Sequence, residues 1–308
     1  MQNRRPKHAA QNRKAARNPL FLPLIAVCAL VLVLAGLYIY RYYADREDIN
    51  RLNESLIELL NTAEPSETPP VIAETPAPTP EPTRQTEPDE RTIVISYPTP
   101  PSKVSSQFTA LYEVNPDLAG YLRIPSTSTP IDLFVVKRDN TFYLDHDFYG
   151  NESKAGTLFM DQANSLWPMD QHTIIYGHNM KNGTMFARLT KYKAIEYATR
   201  NPFVYFDSIY ENITYTVVAA LKLPAKETMT DEFNIRTFIF GDASMNAFLY
   251  QILNKALYVT NVGVNSSDEL LTLVTCSYTA DDERFILVTR RLRDGETEED
   301  IRSLIGAI

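Results

Sequence analysis

The sequence predicts a mainly β domain with added helices, closed or nearly closed into a barrel, behind an N-terminal transmembrane helix and a proline-rich linker. Three observations carry this reading. Residues 20–40 form an uncharged apolar run, and a stretch dominated by Pro, Thr and Glu follows at 65–101. Beyond it, short runs of Tyr, Phe, Ile, Val and Leu alternate with Gly, Pro and Asn, the pattern of many short strands with few helices.

The first 18 residues hold Arg4, Arg5, Lys7, Arg13, Lys14 and Arg17 and no acid. As a helix, the apolar run that follows spans roughly 30 Å, the thickness of a bilayer's hydrocarbon core. Clustered Lys and Arg before a first hydrophobic segment hold that flank in the cytoplasm, which sends the rest of the chain outside. A cleaved signal peptide has the same basic and apolar order. Here, however, Leu37 to Tyr43 supplies bulky residues where a cleavage site needs small ones, and the paired tyrosines suit a membrane interface. An uncleaved, single-pass anchor is the expectation.

Ile49, Leu52, Leu56, Leu59 and Leu60 then recur at helical spacing among charged residues, predicting an amphipathic stalk helix. The run Pro76-Ala77-Pro78-Thr79-Pro80-Glu81-Pro82 lacks backbone donors at every proline and reads as an extended spacer. The expected organisation is a basic tail at 1–18, an anchor at 19–43, a stalk at 44–64, a linker at 65–102, a catalytic domain at 103–293 and a C-terminal tail at 294–308. Within the domain, strands are predicted at 120–124, 131–136, 157–160, 173–176, 215–223, 270–275 and 285–290, and helices at 104–112, 184–192 and 244–257.

The formal net charge is −8, and setting aside the six N-terminal cations leaves −14 for the remainder, which argues against nucleic acid as a partner. The two cysteines are Cys28, inside the apolar run, and Cys276, so no internal disulfide is expected. Cys276 is then a lone thiol in an exported domain, reactive or else a buried inert cysteine. The segment 270–276 ends a strand at Cys276, and Arg284 opens the next after a short polar loop. A hairpin would set thiol and guanidinium on one rim, where a cation favours the thiolate and donates to a developing oxyanion. For the acid and base, three histidines lie beyond the anchor. His178 sits at a strand-to-loop junction and leads over His172 and His146. Asp145, His146 and Asp147 are adjacent and lack a second cluster with ligand spacing, so they read as a solvated loop, and Asp281-Asp282-Glu283 as a charged hairpin loop.

Tyr176-Gly177-His178-Asn179-Met180, Met185-Phe186, Leu189, Thr272-Leu273-Val274-Thr275-Cys276 and Arg284 together resemble the class B sortases, in the right order over roughly residues 103 to 293. The resemblance implies a sortase-type closed β-barrel, no cofactor and no required metal. It implies catalytic roles for His178, Cys276 and Arg284, and substrate contacts at Asn140, Leu144 and Thr275. It further implies a transpeptidase that cleaves a C-terminal sorting signal of exported proteins after a threonine, holds a thioacyl intermediate, and passes the acyl chain to an amine of a peptidoglycan precursor. Val274 stands where family members often have serine, which removes a hydroxyl from that position. A catalytically silent, membrane-tethered binding domain and a hydrolysing cysteine peptidase are the alternative functions.

Overall fold

A computed structural model of the chain describes residues 21–62, 99–101, 103–126, 130–230, 233–237, 241–276 and 283–305, and at Phe21, Leu22, Ile25 and Cys276 the backbone alone. The expected basic tail and nearly all of the expected linker lie outside these residues. The chain divides into two compact units, 1–47 and 48–308.

Helix α1 (Phe21–Thr62) runs through 42 residues. From Ala26 to Tyr40 the helix carries no charged residue, and Leu24, Val31, Leu32 and Tyr40 are among its side chains more than half exposed. The segment Ala26–Thr62 contains a window long and apolar enough to cross a membrane. In the second unit the same helix buries a stripe. Leu56 is 2 % exposed, Leu52, Ile57, Leu59 and Leu60 pack beside it, and Asn53 Nδ2 donates to the Asp132 carbonyl at 2.7 Å. The spacing that predicts an amphipathic helix here thus serves a packed face.

A 3₁₀ turn (Ser106–Phe108) leads into α2 (Thr109–Val114), and the strands follow: β1 (Leu118–Ile124), β2 (Ile131–Val136), β3 (Leu158–Met160) and β4 (His172–His178). After a 3₁₀ helix (Phe186–Lys193) and α3 (Ile195–Arg200) come β5 (Phe203–Ser208), β6 (Asn212–Pro224), α4 (Asp242–Lys255), β7 (Ala256–Val259), β8 (Leu270–Cys276), β9 (Glu283–Arg291) and α5 (Glu298–Ile305). Hydrogen-bonded neighbours run β5-β1-β2-β3-β4-β8-β9-β6, and β6 returns to β5, so eight strands close a barrel. The long β6 makes closure possible. Its first half pairs with β5 and its second half carries β7 on the same edge, while β9 runs along the other edge.

Each predicted strand is present. β5 and β7 are the additions, and β5 is the strand that closes the barrel. The Phe-Val-Tyr-Phe run of β5 carries the aromatic and β-branched signature of a strand. β7 falls partly inside the predicted helix 244–257, because α4 stops at Lys255 and the chain turns extended at Ala256.

Period-two alternation divides the barrel into two cores. Leu122, Val135, Leu158, Ile175, Val204, Val217, Leu273 and Leu287 come from all eight barrel strands and form one cluster, the barrel interior. Tyr121, Phe134, Phe159, Ile174, Tyr176, Val274, Ile286 and Val288 face outward, under Leu56 of α1, Leu111 of α2, and Met245, Phe248 and Ile252 of α4. Gly177 shows how tightly the interior is filled. A Cβ there would collide with Leu158 Cδ2 and lie 2.8 Å from Phe186 Cδ2, both on fully buried residues.

Of residues 294–308, expected as a tail, the described part 294–305 contributes to the fold. Ile301 and Ile305 of α5 are buried with Phe203 and Val262. Glu296 grips the fully buried Arg290 through two bonds of 2.6 and 2.7 Å, and Arg290 also donates to the Gly263, Val262 and Arg291 carbonyls.

Glu296→Ala leaves a buried guanidinium without its counter-charge, and urea unfolding of the variant is expected to show a loss of about 3 kcal/mol. Gly177→Ala overpacks the interior and is expected to cost about 1–3 kcal/mol in the same measurement.

Candidate active site

Three adjacent strands, β4, β8 and β9, end or begin at one rim of the barrel. β4 and β8 are parallel, with His172 opposite Leu270 and, at the far end, His178 opposite Cys276. β8 and β9 are antiparallel, with Val274 opposite Ile286. The same register continued by two residues sets Cys276 against Arg284. Neighbouring strands lie about 4.8 Å apart, so positions 178, 276 and 284 stand side by side with Cys276 in the middle. The Cys276 side chain and the connection 277–282 lie outside the described residues.

Alternation puts His178 on the outward face after Ile174 and Tyr176, and Arg284 on that face before Ile286 and Val288. Thr275 belongs to the opposite face. It is fully buried, and its hydroxyl accepts the Phe285 N–H at 2.8 Å. The structure therefore gives Thr275, expected among the substrate contacts, a position inside the barrel, where it ties β8 to β9 immediately before the rim.

The outward face forms a cavity of about 240 Å³ lined by Asn140, Leu144, Phe159, Tyr176, Thr228, Met229, Ile235, Arg236, Val274 and Arg284. Asn140 and Leu144 thus meet Arg284 in one cavity. Val274, at the position where family members often have serine, contributes a branched apolar surface to its lining.

His178 is 5 % exposed, and its Nε2 lies 2.6 Å from the Leu144 carbonyl. A carbonyl only accepts, so Nε2 carries the proton in this contact. Burial pulls the imidazole pKa down, the Leu144 carbonyl and the Asp145 charge push it up, and the net position is below the ordinary value of 6.5. A largely neutral ring at neutral pH follows. Arg284 offers a complementary feature. Its Nε is buried and makes no hydrogen bond among the described residues, a donor that an oxyanion would complete.

The other two histidines have structural partners. His172 is fully buried between the Thr272 hydroxyl at 2.9 Å and the Thr237 carbonyl at 3.0 Å, and burial depresses its pKa to about 4. His146 stacks on Phe142 with centroids 4.1 Å apart, and its Nδ1 contacts the Asp145 carboxylate and the Phe142 carbonyl. Asp147 accepts the Tyr149 and Asn151 N–H groups of its own loop.

Sequence reasoning missed Asp161, Thr228, Met229, Ile235 and Arg236. Asp161 directly follows the predicted strand 157–160, and a polar residue at a strand-to-loop junction is a signal that marks it. The others fall between β6 and α4, where no periodicity points to a cavity.

Ring titration by NMR in the full chain, with Cys276→Ala to isolate the imidazole, is expected to place the His178 midpoint below 6.5. Asp145→Asn removes a negative charge that favours the imidazolium, so the midpoint should move further down; an upward move would contradict the assignment.

Comparison with known proteins agrees with this architecture. The family model described as the Sortase domain matches residues 122–292. Sortase B of Listeria monocytogenes is 32 % identical over 183 residues, covering 59 % of this chain and 72 % of that protein. The crystal structure of a Bacillus anthracis protein described as similar to sortase B matches with a TM-score of 0.55 and 29 % identity, covering 64 % of this chain and 87 % of that one. A sortase B–substrate complex from Staphylococcus aureus matches with a TM-score of 0.56 and 28 % identity, covering 62 % and 87 %. A closed eight-stranded barrel, three rim positions brought into register and these likenesses lead to one conclusion: the chain belongs to the sortase family, on the class B side, and is a sortase-type transpeptidase.

Proposed function

We propose that Cys276 is the nucleophile, His178 the acid and base, and Arg284 the oxyanion and substrate donor of a transpeptidase that cleaves a C-terminal sorting signal after a threonine. The observation that carries this reading is the shared register of β4, β8 and β9, which brings the three positions to adjacent strand ends beside the cavity. Because His178 rests neutral, it takes the thiol proton as Cys276 sulfur bonds to the threonine carbonyl carbon. Arg284 donates to the oxygen that gains charge, and its buried Nε, which makes no hydrogen bond among the described residues, suits that role. As the tetrahedral centre collapses, the C–N bond breaks and His178 gives its proton to the leaving amine, forming the thioester. An incoming amine then attacks the thioester, His178 accepts its proton, and the thiol is restored. The acceptor amine comes from a peptidoglycan precursor, and the product is an exported protein attached to the cell wall.

Asn140 and Leu144 hold the substrate in the cavity, one by its amide and one by its side chain. The basic N-terminal flank stays cytoplasmic, α1 crosses the membrane and the barrel works outside. That arrangement brings the site to exported chains and to wall precursors on the same side of the membrane.

Incubated with threonine-containing peptides varied on both sides of the cleaved bond, the full chain in detergent should form a covalent adduct at Cys276 that hydroxylamine releases. Cys276→Ala should abolish it, and His178→Ala or Arg284→Ala should lower turnover at least about a hundredfold. Cleavage that survives thiol-blocking reagents would remove Cys276 from the mechanism. An added amine that enters the product identifies transfer, and its exclusion identifies hydrolysis.

A further inference from the structure

One buried ionised group stands behind the cavity wall without a part in the reaction above. Asp161 follows β3 and is 0 % exposed, yet it lies among apolar side chains such as Phe159 and Tyr176. Five donors converge on it. Oδ2 accepts Arg236 Nε at 2.7 Å, the Tyr176 hydroxyl at 2.9 Å and Asn140 Nδ2 at 3.3 Å. Oδ1 accepts Arg236 Nη2 at 3.0 Å and the Ala163 N–H at 3.0 Å. Burial pushes the carboxyl pKa up, but the bonds from Arg236, Ala163 and Tyr176 outweigh it and hold the group below the ordinary carboxylate value.

The side-chain donors share a second property. Arg236, Tyr176 and Asn140 all line the cavity, and they come from three separate pieces of chain: the β6–α4 connection, β4 and the β2–β3 connection. Two of them have an orientation set by Asp161. With Nδ2 on Asp161, Asn140 turns Oδ1 to the Gln162 N–H at 2.8 Å. Arg236 is gripped through two nitrogens, a fork geometry that fixes the plane of its guanidinium. A carboxylate that only bound an arginine would need one of these three partners; this one organises a whole wall.

We propose that Asp161 is a positioning residue for the acyl substrate: it never touches the peptide, and it sets Arg236, Asn140 and Tyr176 in the geometry that receives the residues around the threonine. The proposal rests on the reading of this cavity as the substrate groove. Its donors are groove-wall groups and include neither His178 nor Arg284, so its loss falls on substrate binding and leaves the chemical step largely in place.

The test is steady-state kinetics of the full chain in detergent, using a fluorogenic form of the threonine peptide cleaved best. Asp161→Asn and Arg236→Gln are each expected to raise KM about tenfold while kcat stays within about threefold, since small misplacement of positioning groups is costly to productive binding. The double variant should be no worse than the worse single one, because both cut the same link. Arg236→Lys, which keeps the charge and loses the fork, should fall between the parent and Arg236→Gln. An unchanged KM, a loss confined to kcat, or fully additive effects would overturn the proposal. If Asp161→Asn does not fold, the variants of the half-buried Arg236 decide the proposal by the same KM criterion. Iodoacetamide separates the two levels: cleavage that persists after alkylation of Cys276 rejects the active-site reading itself, whereas blocked cleavage with unmoved KM values rejects the role of Asp161 alone.

Discussion

The structure depends most on the parallel pairing of β4 with β8. His172 and Thr272 are a hundred positions apart and lie within one hydrogen bond of each other. Parallel strands cannot be joined by a tight turn, so the intervening chain must travel, and it does so through two strands of the barrel and α4. Because the pairing is in register from His172 to His178, the strand end that carries the histidine and the strand end that carries the cysteine coincide. A slip of one residue would send every side chain of β4 to the other face and separate the rim positions.

That register is held from both sides of the sheet. Inside, Ile175, Leu271, Leu273 and Leu287 interlock with no exposed surface, and Gly177 gives up a side chain so that Leu158 and Phe186 can close over it. Outside, Ile174, Tyr176, Val274 and Ile286 share one packed face, and Tyr176 and Val274 continue into the cavity wall. Polar ties finish the rim: the Thr275 hydroxyl on the Phe285 N–H aligns β8 with β9, and the Leu144 carbonyl orients His178. The alternation that builds the barrel therefore also sorts the residues of the cysteine motif, since Thr272 and Val274 share the outward face and Thr275 takes the inward one.

Electrostatics at the site follow from burial. His178 and His172 belong to the same strand and both lose affinity for a proton because water is excluded, but their surroundings differ. His172 is enclosed between two fixed oxygens beside Phe248. His178 sits at the strand end, near the charge of Asp145. Both are end residues of β4, but the end at His172 is closed in by Thr237, Thr272 and Phe248, whereas the end at His178 lies at the rim, opposite position 276. Asp161 illustrates the opposite case, a buried carboxylate kept ionised by the donors gathered around it.

The linear sequence by itself determined the apolar helix, seven of the barrel strands, and the family. These are local properties, written in runs of side chains whose period and spacing do not depend on distant partners. It also pointed to His178, Cys276 and Arg284, through strand ends and ordered motifs. What only the tertiary structure decided was pairing. It put β5 on both β1 and β6 to close the barrel, turned Thr275 inward, buried the expected stalk at Leu56 and the expected tail at Ile301, and drew Arg236, Tyr176 and Asn140 onto Asp161. Each of those outcomes depends on which chain segments meet across long loops, and a hydrogen bond or a buried contact between residues 75 positions apart leaves no periodic trace in the sequence around either one.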